Sequence, residues 1–214
     1  MRLRVPLIVL AALALAVPAA AAPPKPSAAF DQLLTAAKAG RSATVFAGLS
    51  ALTRAQYVTP AAFAASEPGK ALTAAALSVH TPLVDATFPS GGAVEAVKTP
   101  AGAYAGAMHL EGGRWKLVVD PNVLVQPISP GAGTVNGKVF QVAAQAMLPD
   151  PVDTGALYLD GKPLQTKGGA VNGGRTVTLY ATLPKGIGKG RHTLVAYAQG
   201  GAHAGALAWA FTVR

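Results

Sequence analysis

The chain has 214 residues, with 18 Lys and Arg against 9 Asp and Glu, a formal net charge of +9, 51% hydrophobic residues and no cysteine. The missing cysteine excludes disulfides, thiolate metal sites, a cysteine nucleophile and a lipidated cysteine, so apolar packing must hold the fold. Aromatic residues make up only 6% of the chain, too few to interleave with the cations as nucleic-acid modules require, and nucleic acid is excluded as a partner.

Arg2 and Arg4 precede an apolar run from Val5 to Val17, which ends in Pro18-Ala19-Ala20-Ala21. That run is shorter than the roughly 20 residues that cross a bilayer, and the small residues behind it suit a signal peptidase. The sequence therefore predicts a leader over 1–21 and a periplasmic or secreted mature protein. It predicts no transmembrane segment, because Gly, Pro or charge breaks every later apolar run. Residues 22–29 open with Ala22-Pro23-Pro24-Lys25-Pro26-Ser27, a spacer that proline keeps extended.

Helix is predicted from Ser27, with the serine as cap, Phe30, Leu33, Leu34 and Ala37 on one stripe, and Gly40 as a left-handed C-terminal cap. A second helix follows Ser42 with Val45, Phe46, Leu49 and Leu52 on one stripe, although Gly48 weakens it by about 1 kcal/mol relative to alanine. Thr59-Pro60 opens a short helical turn carrying Phe63, and Pro68 to Val79 reads as an alanine-rich helix.

At Leu83 the period of 3.6 gives way to alternation. Strands are predicted over 84–88 and 93–98 around Pro89-Ser90-Gly91-Gly92, and over 104–111 and 114–119 around Gly112-Gly113, a two-glycine hairpin turn. In that hairpin Tyr104, Met108 and Leu110 share a face, as do Trp115, Leu117 and Val119, while Glu111 pairs with Arg114 beside the turn. Helices followed by an antiparallel sheet make residues 30–126 an α+β domain.

The ending Met108-His109-Leu110-Glu111-Gly112-Gly113-Arg114-Trp115-Lys116-Leu117-Val118-Val119 resembles the last hairpin of cone-shaped nuclear-transport-factor-2-like and cystatin-like folds. The resemblance implies a cone that can open a pocket between helices and sheet. Tyr104 and Trp115 would border it, or fill the core instead, since aromatics bury large areas.

Residues 127–133, Pro-Ile-Ser-Pro-Gly-Ala-Gly, read as a linker between domains. Beyond it turn signals recur about every ten residues, which predicts an all-β sandwich over 134–214. Its strands are expected at 138–147, 156–159 with 162–165, 176–183, 192–198 and 206–213, with Trp209, Phe211 and Val213 inward. Leu157-Tyr158-Leu159-Asp160-Gly161-Lys162-Pro163-Leu164, Gly190-Arg191-His192-Thr193-Leu194-Val195-Ala196-Tyr197-Ala198 and Trp209-Ala210-Phe211-Thr212-Val213 resemble the bacterial immunoglobulin-like modules of secreted and surface proteins. Such modules serve as spacers or adhesive surfaces, which implies a non-catalytic role. Gln199-Gly200-Gly201-Ala202-His203 replaces the Asp-x-x-Gly-Asn usual before the last strand, and with it go the carboxylates that could hold calcium.

Catalytic patterns are absent. No serine stands in Gly-x-Ser-x-Gly or Ser-x-x-Lys, and Gly186 to Gly190 lacks phosphate-loop spacing. The carboxylates Asp85, Glu95, Glu111 and Asp120, which glycosidase chemistry would need in pairs, are expected at solvated strand ends and turns. No cofactor is assigned. His192 and His203, on neighbouring strands, are the one pair that could share copper or zinc, although a useful site needs three or four ligands.

Charge is the remaining signal. No carboxylate follows Asp160, whereas Lys162, Lys167, Arg175, Lys185, Lys189, Arg191 and Arg214 do. The leading expectation is a binding or scaffolding protein that meets an anionic envelope polymer, or a protein partner at the cell surface, through Lys162, Lys167, Lys185, Lys189 and Arg191. The alternatives are a small-ligand carrier or degenerate enzyme in the α+β domain, and a copper or zinc accessory protein.

Overall fold

The computed structural model describes residues 24–214; the leader expected over 1–21 lies outside the described residues. Five helices come first: α1 (Pro26–Lys38), α2 (Ser42–Ala47), α3 (Ala51–Tyr57), α4 (Pro60–Ala65) and α5 (Glu67–Leu77). Pro26 occupies the first turn of α1, so Ser27 lies inside the helix and does not cap it. The other end follows expectation. Gly40 has φ 68°, and the N–H groups of Gly40 and Arg41 bond back to Ala37 and Ala36, a Schellman closure.

The single helix expected after Ser42 is two. Gly48 lies flat against the Leu33 side chain, and the chain leaves helix after it so that Leu49, fully buried, bridges to Leu117. Two backbone bonds hold this bridge, Leu117 N–H to Gly48 O at 3.0 Å and Ser50 N–H to Leu117 O at 2.9 Å. Ser50 then caps α3 by accepting from the Thr53 N–H at 3.1 Å. Tertiary pairing thus outweighs local helix propensity. Thr59 and Ser66 cap α4 and α5 in the same manner.

Four antiparallel strands follow in sequential order: β1 (Thr81–Thr87), β2 (Gly92–Thr99), β3 (Gly102–Glu111) and β4 (Arg114–Val118). The expected hairpin register holds, with Met108 opposite Leu117, Leu110 opposite Trp115 and Glu111 opposite Arg114. Gly112 and Gly113 both take positive φ at the turn. One face of this sheet, with Ala93, Val97, Met108 and Leu117, packs on Phe30, Leu33 and Leu72 of the helices.

The second half is a two-sheet sandwich. Its strands are β5 (Leu124–Ser129), β6 (Gly133–Val135), β7 (Val139–Met147), β8 (Thr154–Leu159), β9 (Lys162–Pro163), β10 (Lys167–Val171), β11 (Thr176–Ile187), β12 (Gly190–Gly200) and β13 (His203–Val213). The sheets run β10-β11-β7-β5 and β6-β13-β12-β8-β9. Reading β5 as A, β7 as B, β8 as C, β11 as E, β12 as F and β13 as G gives the immunoglobulin order, with a short β6 running parallel to β13. The α+β first half and the immunoglobulin-like second half both match the expected fold class.

Most of the segment read as a linker over 127–133 is strand, and residues 130–132 alone lie between strands. Leu124 to Ser129 pairs with β7, and Gly133 to Val135 pairs with β13. Pro127 misled because proline is tolerated on an edge strand, where its missing N–H faces no partner, and β5 is such an edge.

The two halves share a core. Val94, Ala96, Ala107 and Val118 from the other face of the first sheet pack on Tyr158, Val195, Tyr197 and Ala204. The β6-β13-β12-β8-β9 sheet is therefore covered on both sides, since Leu194, Ala196, Trp209 and Phe211 face β7 and β11 across the sandwich. Alanines permit the close approach of β3 and β13: Ala105 and Ala107 on one, Ala204, Ala206 and Ala208 on the other.

Candidate functional site

Strand pairing gathers most of the expected cations at one end of the molecule. Lys189 and Arg191 flank the corner between β11 and β12, and Lys185 lies just before it. The β8–β9 turn brings Lys162 to the same end, because Asp160 is hydrogen-bonded to Thr193 near the start of β12. Ile187 pairs with Val139, which adds Lys138, and Gly190 pairs with Val213, which adds Arg214. The first half contributes Lys98 beside the β2–β3 turn, where Arg191 donates to Ala101 O at 3.2 Å. Lys167 is not part of this group; it opposes Tyr180 further along β11.

Asp160 is the side-chain carboxylate placed among these cations, and it is already committed. It accepts from His192 Nδ1 at 2.8 Å and from the Thr193 N–H at 2.8 Å. The lysines Lys162, Lys185 and Lys189 and Arg191 are exposed and form no ion pair among the described residues. Their positive field is thus directed at solvent.

The metal expectation fails on geometry. His192 opposes Phe211 whereas His203 opposes Gly200, so the two rings lie at opposite ends of the β12–β13 hairpin. The strand from His192 to Gly200, at about 3.3 Å per residue, spans roughly 26 Å. Both ring nitrogens of His192 face oxygen, Asp160 on one side and Gly188 O at 2.9 Å on the other. Among the described residues no three His, Asp or Glu side chains converge in a way that could hold a metal ion.

Two carboxylates expected at solvated positions are buried. Glu95 is 3% exposed and stands opposite Asp85 across β1 and β2. Burial, then the Asp85 carboxylate, then Asp31 push its pKa up to about 9, which keeps it protonated at neutral pH. Its Oε1 has no hydrogen-bond partner. Asp120, just after β4, accepts from His203 Nδ1, from Gln56 Nε2 at 3.0 Å and from the Asn122 N–H at 2.9 Å. Burial alone would raise its pKa, but these donors outweigh burial and hold it below the usual carboxylate range. Strand alternation places Glu95 on the same face as Ala93 and Val97, a signal that the apolar neighbours on both sides already carried.

Tyr104 and Trp115 both pack on the helix-side core. Tyr104 stacks on Phe30 with ring centroids 6.1 Å apart, and burial raises its pKa. The space between the helices and the first sheet is filled by Phe30, Leu33, Met108 and Leu117. Trp115 also borders a separate cavity between α1, α2 and the β3–β4 tip.

No family model and no curated protein matches this chain. Solved structures share parts of it at low identity. PcoC, a methionine-rich copper resistance protein from Escherichia coli, is 13% identical over 42% of this chain and 99% of its own, with a TM-score of 0.28. The titin M10–obscurin-like 1 immunoglobulin complex is 19% identical over 43% of this chain and 93% of its own, with a TM-score of 0.28. Dpr2 Ig1-Ig2 in complex with DIP-Theta is 9% identical over 58% of this chain and 41% of its own, with a TM-score of 0.31. The strand order described above carries the immunoglobulin-like assignment. Among the described residues no helix is long and apolar enough to cross a membrane.

Proposed function

We propose that this is a periplasmic or secreted, non-catalytic binding or scaffolding protein that engages phosphate-bearing components of the cell envelope through the cationic end of its second half. One observation carries the reading. Lys162, Lys185, Lys189 and Arg191, distant in sequence, are brought to one end together with Lys98, Lys138 and Arg214, and Asp160 there is already hydrogen-bonded to His192 and Thr193. A patch of one sign recruits polyanions by summed field without a shaped pocket, and salt weakens it. The first half, whose helix-then-sheet order resembles nuclear-transport-factor-2-like and cystatin-like folds, serves in this reading as the platform that carries Lys98 to the patch.

Co-sedimentation with vesicles tests the reading. Vesicles containing phosphatidylglycerol should bind at low salt and release as ionic strength rises, whereas phosphatidylcholine vesicles should not bind. Competition by soluble polyphosphate distinguishes the phosphate group from the lipid surface as the feature recognised. A Lys185→Glu, Lys189→Glu, Arg191→Glu triple variant should lose binding, while Lys167→Glu should retain it. Absent or salt-insensitive binding, or equal binding by the triple variant, would overturn the proposal.

A further inference from the structure

A cavity of about 600 Å³ lies between α1, α2 and the tip of the β3–β4 hairpin, within the range of sites that hold small molecules. Its wall combines four kinds of group. Trp115, half-buried on the helix-side core, supplies an aromatic surface, and Leu33 supplies an apolar floor. Arg114 and Lys116 supply positive charge, and Gln32 and Thr44 supply neutral donors.

No carboxylate among the described residues is paired with the charge on this wall. Neither Arg114 nor Lys116 forms an ion pair among the described residues. Glu111, the carboxylate of the same hairpin, turns away to accept from the Ala51 N–H at 3.0 and 3.3 Å. Lys116 Nζ donates to Ala47 O at 2.6 Å, which leaves ammonium hydrogens for a further acceptor. Burial, together with Arg54 and Arg114 nearby and against a smaller opposing effect of Glu111, lowers the pKa of Lys116. A negative group in the cavity would relieve that crowding.

We propose that this cavity binds a small planar organic anion of the aromatic-carboxylate class, its ring against Trp115 and its carboxylate between Arg114 and Lys116. A guanidinium matches a carboxylate with two parallel N–H donors, and an indole favours a flat apolar partner over a hydrated ion. The site is independent of the cationic end, which lies at the β11–β12 corner.

Nitrogen-15 NMR of the two tryptophan indole N–H groups tests the proposal on the secreted full chain. Trp209 donates its indole N–H to Pro130 O at 2.9 Å inside the sandwich, so its signal is an internal control. Titration with 1-naphthoate should shift the Trp115 signal saturably and leave that of Trp209 in place. Neutral 1-naphthylmethanol and inorganic phosphate should each bind at least about tenfold more weakly, a difference of about 1.4 kcal/mol. Arg114→Gln with Lys116→Gln should weaken naphthoate to the level of naphthylmethanol while the Trp209 signal reports an intact sandwich. Equal affinity for naphthoate and naphthylmethanol would make the site merely apolar and overturn the proposal. Equal affinity for phosphate, an unaffected double variant or no shift of Trp115 would overturn it as well.

Discussion

His203, the first residue of β13, donates its Nδ1–H to the carboxylate of Asp120, just past β4, and this contact ties the first half of the chain to the second. The Asp120 side chain is wholly buried while the imidazole is 20% exposed, and His203 Nε2 lies 3.9 Å from Asp150 at the rim. The carboxylate also accepts from Gln56 on α3. One buried anion thereby joins the helix layer, the first sheet and the central sheet.

Removing that donor should destabilise the whole molecule. His203→Ala leaves a buried carboxylate short of one partner, and because the imidazole is partly exposed the expected loss is about 2–3 kcal/mol, below that for a fully buried pair. Asp120→Asn in the same background should recover part of it. Urea unfolding of the single and double variants measures both. The depressed pKa of Asp120 means its contribution is present above the ordinary carboxylate range and is lost as pH falls through the folded value. His203→Ala should therefore differ least from wild type in acid.

Glu95 has the opposite sign. Its pKa rises from 4.5 to about 9 on folding, so the folded chain holds a proton that the unfolded chain releases between those values. Stability from this group is complete below about pH 4.5 and falls as pH rises toward 9, by up to about 1.4 kcal/mol per pH unit. Glu95→Gln cannot ionise and should gain on wild type across that window. Thermal unfolding from pH 5 to 9 is the check, and parallel curves for the two proteins would show that Glu95 ionises freely.

Gly92 permits a close approach of the two halves. A Cβ there would fall onto Gln199 Oε1 and the Tyr197 hydroxyl, which are themselves bonded at 2.7 Å, with Ser90 donating to the same oxygen at 3.0 Å. Phe88 stacks on Tyr197 beside them at 4.6 Å. Gly92→Ala should cost about 1–3 kcal/mol in urea unfolding, the usual penalty for overpacking. Ser90→Ala should cost less, since it removes one hydrogen bond and adds no clash.

Val58 gains from losing its side chain. It sits at φ 61°, ψ −43°, the centre of a γ-turn in which the Thr59 N–H bonds to Tyr57 O at 2.6 Å, a strained position for a β-branched residue. At 74% exposed it packs little. Val58→Gly should raise stability by about 0.5–1 kcal/mol, relief of strain outweighing the entropy of glycine. A lower Tm in the variant would show that Val58 makes contacts worth more than its strain.

Local structure was readable where the chain decides it alone. Gly40 needs its left-handed φ, Gly112-Gly113 needs a hairpin, and Thr59-Pro60 needs a helix start, whatever surrounds them. The helix expected after Ser42 divides in two because Leu49 leaves helix for a bridge to Leu117, a partner far along the chain. Pro127 and its neighbours pair with β7 for the same reason, although an edge strand and a linker share a composition.

The sequence by itself determined the class of each half, helices before strands, and an excess of positive charge after Asp160, because helix periodicity, strand alternation and turn chemistry act over a few residues. Tertiary structure alone decided which charges meet. Strand register carried Lys162, Lys185, Lys189 and Arg191 to one end and left Lys167 aside, and it set His192 and His203 at opposite ends of one hairpin. It also buried Glu95 and Asp120, and it joined the halves through one sheet with two apolar faces. Thr193 to Ala198 shows such a run in its residues, but a strand does not encode what covers it; shape and alanine-lined approach between β3 and β13 settle that.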